Sequence, residues 1–204
     1  NSSGKRLSTD FFRRSAPAVA RDLLGKTLVR VFDTGEHRCY RITETEAYCG
    51  QEDLACHASK GLTKRTQVMF GPGGRIYVYL IYGQYWLLNF VTGEAGDGSA
   101  VLIRGLEGFD GPGRTGRELR LDRSFYGEDL AISSRLWLEE GLPAYDVEAL
   151  PRIGIHYAGE PWVSKPWRFL FSRAKPIEYE LPEGGVVIFE GRFTRAFRFS
   201  TSAA

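Results

Sequence analysis

The pattern of apolar and polar positions along this chain predicts more strands than helices. RIYVYLIY (75–82) is rich in β-branched and aromatic residues and reads as a strand. Gly83–Gln84 turns it into YWLLNFV, and SAVLIRGL reads as a third strand. Upstream, KTLVRVFD, the Asp33–Thr34–Gly35 turn and HRCYRITETEAY predict a hairpin. Shorter strands are predicted at RIGIH, WRFLF and VVIFEGRFTRAFRFS. A helix is predicted from Ser15 to Leu24, with Ser15 as its cap, Pro17 in its first turn and Gly25 ending it. GLEGFDGPGRTGREL carries five Gly and few large apolar residues, so 105–130 reads as an exposed surface loop. Strands joined by turns, without regular crossover helices, predict an α+β fold with a largely antiparallel sheet.

A length of 204 residues favours a single domain spanning 1–204. Residues 1–6 are expected to be disordered, and 177–204 to form a C-terminal extension that adds a hairpin. Hydrophobic residues at 43% and charged residues at 25% exclude a disordered or fibrous chain. Three Cys (Cys39, Cys49, Cys56) make a secreted disulfide scaffold a poor reading, and reduced thiols in a cytoplasmic protein the simpler one. No run of 18 apolar residues could cross a bilayer, and NSSGKRLSTD lacks the apolar core of a signal peptide. The formal net charge of +2 points to no partner. Of the 27 basic residues, however, 21 are Arg, whose planar fork suits phosphates. A high-GC genome would produce the same bias.

Four groups of residues could carry chemistry. In a strand, Glu44, Glu46 and Tyr48 share one face with Ile42. Two carboxylates without a cation between them suit either a wet surface or a working site. His57 follows eleven residues after Glu46, within folding-back distance; Asp53 and Cys56 lie between, but no metal-binding spacing supports a metal site. In the second group, Tyr77 and Tyr79 oppose an aliphatic face of Ile76, Val78 and Leu80, and Tyr82 sits beside the turn. These rings are either core or a platform for nucleic acid, with Arg75 on the same strand. Third, Arg104 interrupts an apolar strand and needs a carboxylate partner, for which Glu44 or Glu46 would serve. The fourth group is basic: Lys60, Lys64 and Arg65; Arg114, Arg117, Arg120 and Arg123; Lys165 and Arg168. Such runs are either solvated faces or phosphate contacts.

Taken in order, ITETEAYCGQEDLACHAS, RTQVMFGPGGRIYVYLIYGQYWLLNFV and GDGSAVLIRGLEG resemble the alkyladenine (methylpurine) DNA glycosylase family. The likeness covers most of 7–175 and is tightest over 42–107. It implies a single α+β domain with a curved antiparallel sheet, flanking helices and a protruding hairpin that enters the minor groove. It implies that Glu46 activates water and that Arg104 holds the same water. By the same resemblance Tyr48, Ala55, His57, Tyr79 and Asn89 form the base pocket, with Asn89 rejecting the guanine amino group. The resemblance also implies that Tyr82 is the wedge in the duplex and that Lys165 and Arg168, in SKPWRF, contact the DNA backbone; Lys64 and Arg65 of the basic loop are expected to contact it too. The implied partner is double-stranded DNA containing damaged purines, met by a monomer without cofactor, metal or membrane. The expected activity is hydrolysis of the N-glycosidic bond of alkylated or deaminated purines in base excision repair, without a lyase step.

The chain departs from the family pattern at GFDGPGRTGRELRLDRSFYGE, which stands where family members carry a longer segment, implying a lost helix. The resemblance does not extend to the tail after Pro176. Two other function classes compete: a catalytically silent DNA- or RNA-binding module on the same scaffold, and a hydrolase of small nucleosides. The set Glu46, Arg104 and His57 disfavours the first, because a pure binder gains nothing from a carboxylate beside a negatively charged strand. Tyr82 and the basic loops disfavour the second.

Overall fold

In the computed structural model, residues 4–141 and 146–171 are described with their side chains, and 177–181, 185–190 and 193–195 by their backbone. Two helices, α1 (Thr9–Phe12) and α2 (Ala16–Leu23), lead into strands β1 (Thr27–Val31) and β2 (His37–Tyr48). Then follow β3 (Ile76–Ile81), β4 (Tyr85–Thr92), β5 (Ser99–Leu106), β6 (Phe109–Asp110), α3 (Pro112–Glu118), β7 (Leu136–Glu139), β8 (Val147–Leu150) and β9 (Arg168–Phe171). Three further strands, β10 (Ile177–Leu181), β11 (Gly185–Glu190) and β12 (Phe193–Arg195), pair antiparallel with one another in the region of the expected extra hairpin.

The main sheet is curled and antiparallel, in the order β3-β4-β5-β2-β1-β7, with β6 on β5 and β9 between β2 and β8. β2 is shared along its length. Residues 37–41 pair with β1, while 44–46 lie between β5 and β9. Glu44 and Glu46 therefore sit inside the sheet, not on an edge. The β2–β5 register shifts on both sides of Glu44, which marks a bulge. This corrects the expectation that Ile42 shares a face with the two glutamates. Ile42 and Ala47 both enter the main core, and the Thr45 hydroxyl donates to Ala20 O of α2 at 2.7 Å. Glu44, Glu46 and Tyr48 make their contacts away from that core.

The core packs α1 and α2 (Phe12, Val19, Ala20, Leu23) against Leu28, Ile42, Ile76, Leu88, Phe90, Val101 and Ile103. Burying a side chain of this size stabilises by about 1.5–3 kcal/mol. α2 ends as expected at Gly25, whose φ is 83°. Ser15 stands at its N-cap without a side-chain capping bond, and its carbonyl accepts from the Val19 amide at 3.0 Å.

Two sequence expectations change. Residues 105–130 are not an exposed loop: they form β6, α3 and a 3₁₀ turn, and bury Thr115, Leu119, Leu121 and Phe125. Gly116 explains part of the glycine content. A Cβ there would lie 1.8 Å from Trp86 O, so only glycine lets α3 rest this close to β4. The segment that departs from the family pattern thus holds a short helix of its own, α3. RIGIH is not a strand either; it is an irregular segment leading into a 3₁₀ turn, His156–Ala158. Of residues 1–6, 1–3 lie outside the described residues, while Arg6 donates to Ala131 O and Ser133 O at 2.8 Å. Among the described residues no helix is long and apolar enough to cross a membrane.

Candidate active site

Glu46 is fully buried, as its place between β5 and β9 requires. Its Oε1 accepts the Ile153 amide at 2.8 Å, and its Oε2 accepts the Tyr48 hydroxyl at 2.8 Å. Arg104 Nη1 lies 3.5 Å from Oε2. Arg104 also donates through Nε to Glu44 Oε1 at 3.3 Å, and the same oxygen accepts Arg168 Nη1 at 2.9 Å. Carboxylates and guanidinia thus alternate in the order Glu46, Arg104, Glu44, Arg168. The expected carboxylate partner of Arg104 is present, and both glutamates share the role.

Burial pushes the Glu46 carboxyl above its ordinary pKa, and Glu44 adds to the rise. Arg104, the Ile153 amide and the Tyr48 hydroxyl act in the opposite sense. A carboxylate held this way accepts a proton more readily than a surface glutamate while its cation keeps the ionised form accessible.

Beside this floor lies a cavity of about 360 Å³, lined by Tyr48, Ala55, His57, Tyr79, Asn89 and Arg104, among others. All five residues expected in a base pocket, and Arg104, therefore meet in one place. His57 Nδ1 is 2.8 Å from the Tyr77 hydroxyl, and its ring meets Tyr79 edge-on at 4.6 Å. Burial, aided by the charge of Arg65, lowers the His57 pKa to about 4, so the imidazole is neutral at pH 7. The Asn89 amide nitrogen donates to Tyr77 O at 3.1 Å, which anchors the side chain to the sheet while it faces the cavity. The cavity falls in the size range of small-ligand sites.

At the rim, β3 and β4 form a hairpin whose last pair is Ile81 and Tyr85, leaving Tyr82, Gly83 and Gln84 as the turn. Tyr82 is 87% exposed and holds a φ of 50°. A bulky side chain in the left-handed region is strained. Arg65 stacks over the Tyr79 ring at 5.1 Å, and its loop is pinned where the Tyr126 hydroxyl donates to Arg65 O. Lys165 rests over the Trp162 and Trp167 rings at 4.8 and 4.4 Å. Lys64 lies along the outer side of the hairpin with Leu80 and Trp86. Arg168 differs from the other three expected DNA contacts, because two of its donors are used internally, on Glu44 and on Pro151 O.

Among the described residues no three of the His, Cys, Asp and Glu side chains are placed to hold a metal ion, and Glu46 is bonded to the Ile153 amide. Asp53 is bonded to Arg152, His57 to Tyr77, and Cys56 to Gly98 O. Sequence reasoning missed Arg152, the Ile153 amide and Tyr157, which lines the cavity and donates to Ala55 O at 3.2 Å. The RIGIHY run was the available signal, but its alternation pointed to a strand.

Residues 10–110 and 107–175 match the family model described as methylpurine-DNA glycosylase. A protein of Legionella pneumophila (strain Corby) is 47% identical over 173 residues, 81% of this chain and 93% of its own. A protein of Methanocella arvoryzae is 45% identical over 183 residues, 80% of this chain and 90% of its own. One from Myxococcus xanthus is 44% identical over 189 residues, 87% and 96% respectively. All three bear the name "Putative 3-methyladenine DNA glycosylase".

Proposed function

The chain belongs to the methylpurine-DNA glycosylase family, and we propose that it is a monofunctional DNA glycosylase acting on alkylated and deaminated purines. Its proposed substrates are 3-methyladenine, 7-methylguanine, ethenoadenine and hypoxanthine in duplex DNA. The N-glycosidic bond is out of reach inside a base stack, so the nucleotide must be extruded, at least cost for damaged or mispaired bases. Tyr82 fills the gap left in the stack. Lys64, Arg65 and Lys165 hold the phosphates, and Arg168 joins them through the three N–H donors its two internal bonds leave over.

The extruded base enters the aromatic cavity, where a cationic alkylated ring is favoured by the Tyr48 and Tyr79 faces. Asn89 excludes the guanine amino group by occupying its space. Water beside Glu46 Oε2 and Arg104 attacks the sugar carbon. The new C–O bond forms as the C–N bond breaks, Glu46 takes one water proton, and the purine leaves with the C–N electron pair: a cationic alkylated purine departs neutral, while hypoxanthine or ethenoadenine departs as an anion that takes up a proton from solvent water. The ionised carboxylate also stabilises the positive charge that develops on the sugar. The protein works as a monomer on chromosomal DNA, with neither metal nor organic cofactor.

The observation that carries this reading is Arg104, which lines an aromatic cavity beside an exposed tyrosine and is paired with the buried Glu46 carboxylate directly behind it. The test is a duplex with one ethenoadenine or hypoxanthine, incubated with protein and then treated with alkali. Strand cleavage at the lesion, with no borohydride-trapped adduct, is expected. Binding without cleavage would replace the reading with a silent DNA-binding module.

A further inference from the structure

Asp53 and Arg152 have no part in the chemistry above, yet both side chains are 0% exposed. They meet fork to carboxylate, Nη1 to Oδ2 at 2.6 Å and Nη2 to Oδ1 at 3.0 Å. A buried pair of this kind adds little stability over an apolar replacement, so its place in the fold needs another reason. That reason lies in what the pair joins. Arg152 donates to Ala47 O at 3.0 Å, on the residue after Glu46, and its guanidinium lies 4.8 Å from the Tyr48 ring and 5.0 Å from Trp167. Asp53 accepts the amides of Cys49 at 3.0 Å and Ala55 at 3.1 Å. The residue after Arg152 is Ile153, whose amide reaches Glu46 Oε1 at 2.8 Å.

We infer that Asp53 and Arg152 are positioning residues: their buried pair locks the 151–155 segment to the end of β2 so that the Ile153 amide points at Glu46. This inference rests on the reading of Glu46 as the base. No side chain at 153 is involved, only a backbone N–H, and a segment without regular structure must be held by something else. The guanidinium fork provides that hold from the neighbouring residue.

The consequence is electrostatic. Around Glu46 stand Glu44 and Tyr48 on β2, Arg104 on β5, Tyr79 on β3 and, across the β9 register, Arg168. Arg104, the Ile153 amide and Tyr48 favour the ionised carboxylate, while burial and Glu44 oppose it. Losing the amide bond removes one of the three supports. The Glu46 pKa then rises further, and the acid limb of the excision rate moves to higher pH.

The experiment measures single-turnover excision of hypoxanthine from duplex DNA against pH, together with lesion-duplex affinity and thermal melting. The variants are Asp53→Asn, Arg152→Lys, and Ile153 replaced by its α-hydroxy acid, which exchanges the N–H for an ester oxygen. Expected is an acid limb displaced upward in the ester variant and in the side-chain variants. On the acid side their rates should fall on the order of tenfold or more, since small misplacements of catalytic groups cost about that, while lesion affinity holds within a few fold. Arg152→Lys, which keeps the charge and loses the fork, decides the matter if Asp53→Asn does not fold. A merely structural pair would lower the melting temperature and leave the acid limb of the folded enzyme in place; that result overturns the inference, as does a shift in the ester variant alone. Glu46→Gln is measured alongside. Near-parental excision by that variant removes the reading of Glu46 itself. An inactive Glu46→Gln with an unmoved ester variant removes only the positioning role.

Discussion

The floor of the cavity and the tip of the β3–β4 hairpin are built on opposite terms. Glu46 has no exposed surface, and an amide, a hydroxyl and a guanidinium surround it. Tyr82 is 87% exposed and strained in its backbone. The proton-accepting role proposed for Glu46 depends on fixed neighbours, because a carboxyl's pKa and aim are set by what touches it. The wedge role proposed for Tyr82 asks for freedom and a ring, because the partner proposed for it is the base stack. The difference predicts that damage to the floor lowers chemistry on every substrate, while damage to the tip is felt according to how hard the base is to extrude.

The largest effect is expected at the floor. Glu46→Gln should lower single-turnover excision by about 10²–10⁴, the usual worth of positioned proton transfer. The loss should be alike for paired and unpaired lesions. Stability carries a second signature. The folded pKa of Glu46 is raised, so its contribution is fully present below the unfolded pKa and is lost as pH rises through the folded value. The melting temperature of Glu46→Gln relative to the parent should therefore improve as pH rises through that window. A difference independent of pH would contradict the raised pKa.

Next in size is the tip. Tyr82→Ser should reduce excision of a well-paired lesion on the order of tenfold or more, since unstacking costs a few kcal/mol. Folding should not suffer, because the ring is exposed. If melting falls markedly, the ring belongs to the packing and the contrast with the floor is lost.

A smaller effect sharpens the electrostatics of the floor. The charge of Glu44 raises the Glu46 pKa. Glu44→Gln should therefore move the acid limb of excision to lower pH, the reverse of the shift expected on losing the Ile153 amide. An unmoved or raised limb would show that Glu44 acts by holding Arg104 rather than by its charge. Smallest is Lys165→Ala. It should weaken binding to damaged and undamaged duplexes alike and lower the salt slope by about one phosphate contact. An unchanged slope would confine Lys165 to its two tryptophans.

Much of this contrast was legible in the sequence, and what was not has physical causes. β3 and β4 were readable because apolar, aromatic and β-branched residues dominate both, with Asn89 as the polar exception in β4, and Tyr82 because it sits beside Gly83. Arg104 announced its need for a carboxylate by standing in an apolar strand. The bulge at Glu44 was not readable, because a register shift depends on the partner strand and leaves no local mark. α3 was hidden by the glycines that let it pack: Gly116 looks like loop sequence and is a close-approach residue. Arg152 and Asp53 lie 99 residues apart, and only the fold joins them. The Ile153 amide is the least legible of all, since any residue but proline supplies one.

The most direct test of the division between floor and tip is one set of single-turnover rates. Glu46→Gln and Tyr82→Ser are compared on hypoxanthine opposite thymine, opposite cytosine and in single-stranded DNA. One uniform, large loss is expected for Glu46→Gln across all three. For Tyr82→Ser the expected loss is graded, greatest for the better-paired lesion and least in the single strand. An equal loss for Tyr82→Ser on all three substrates would place that ring in the pocket or the core and contradict the division.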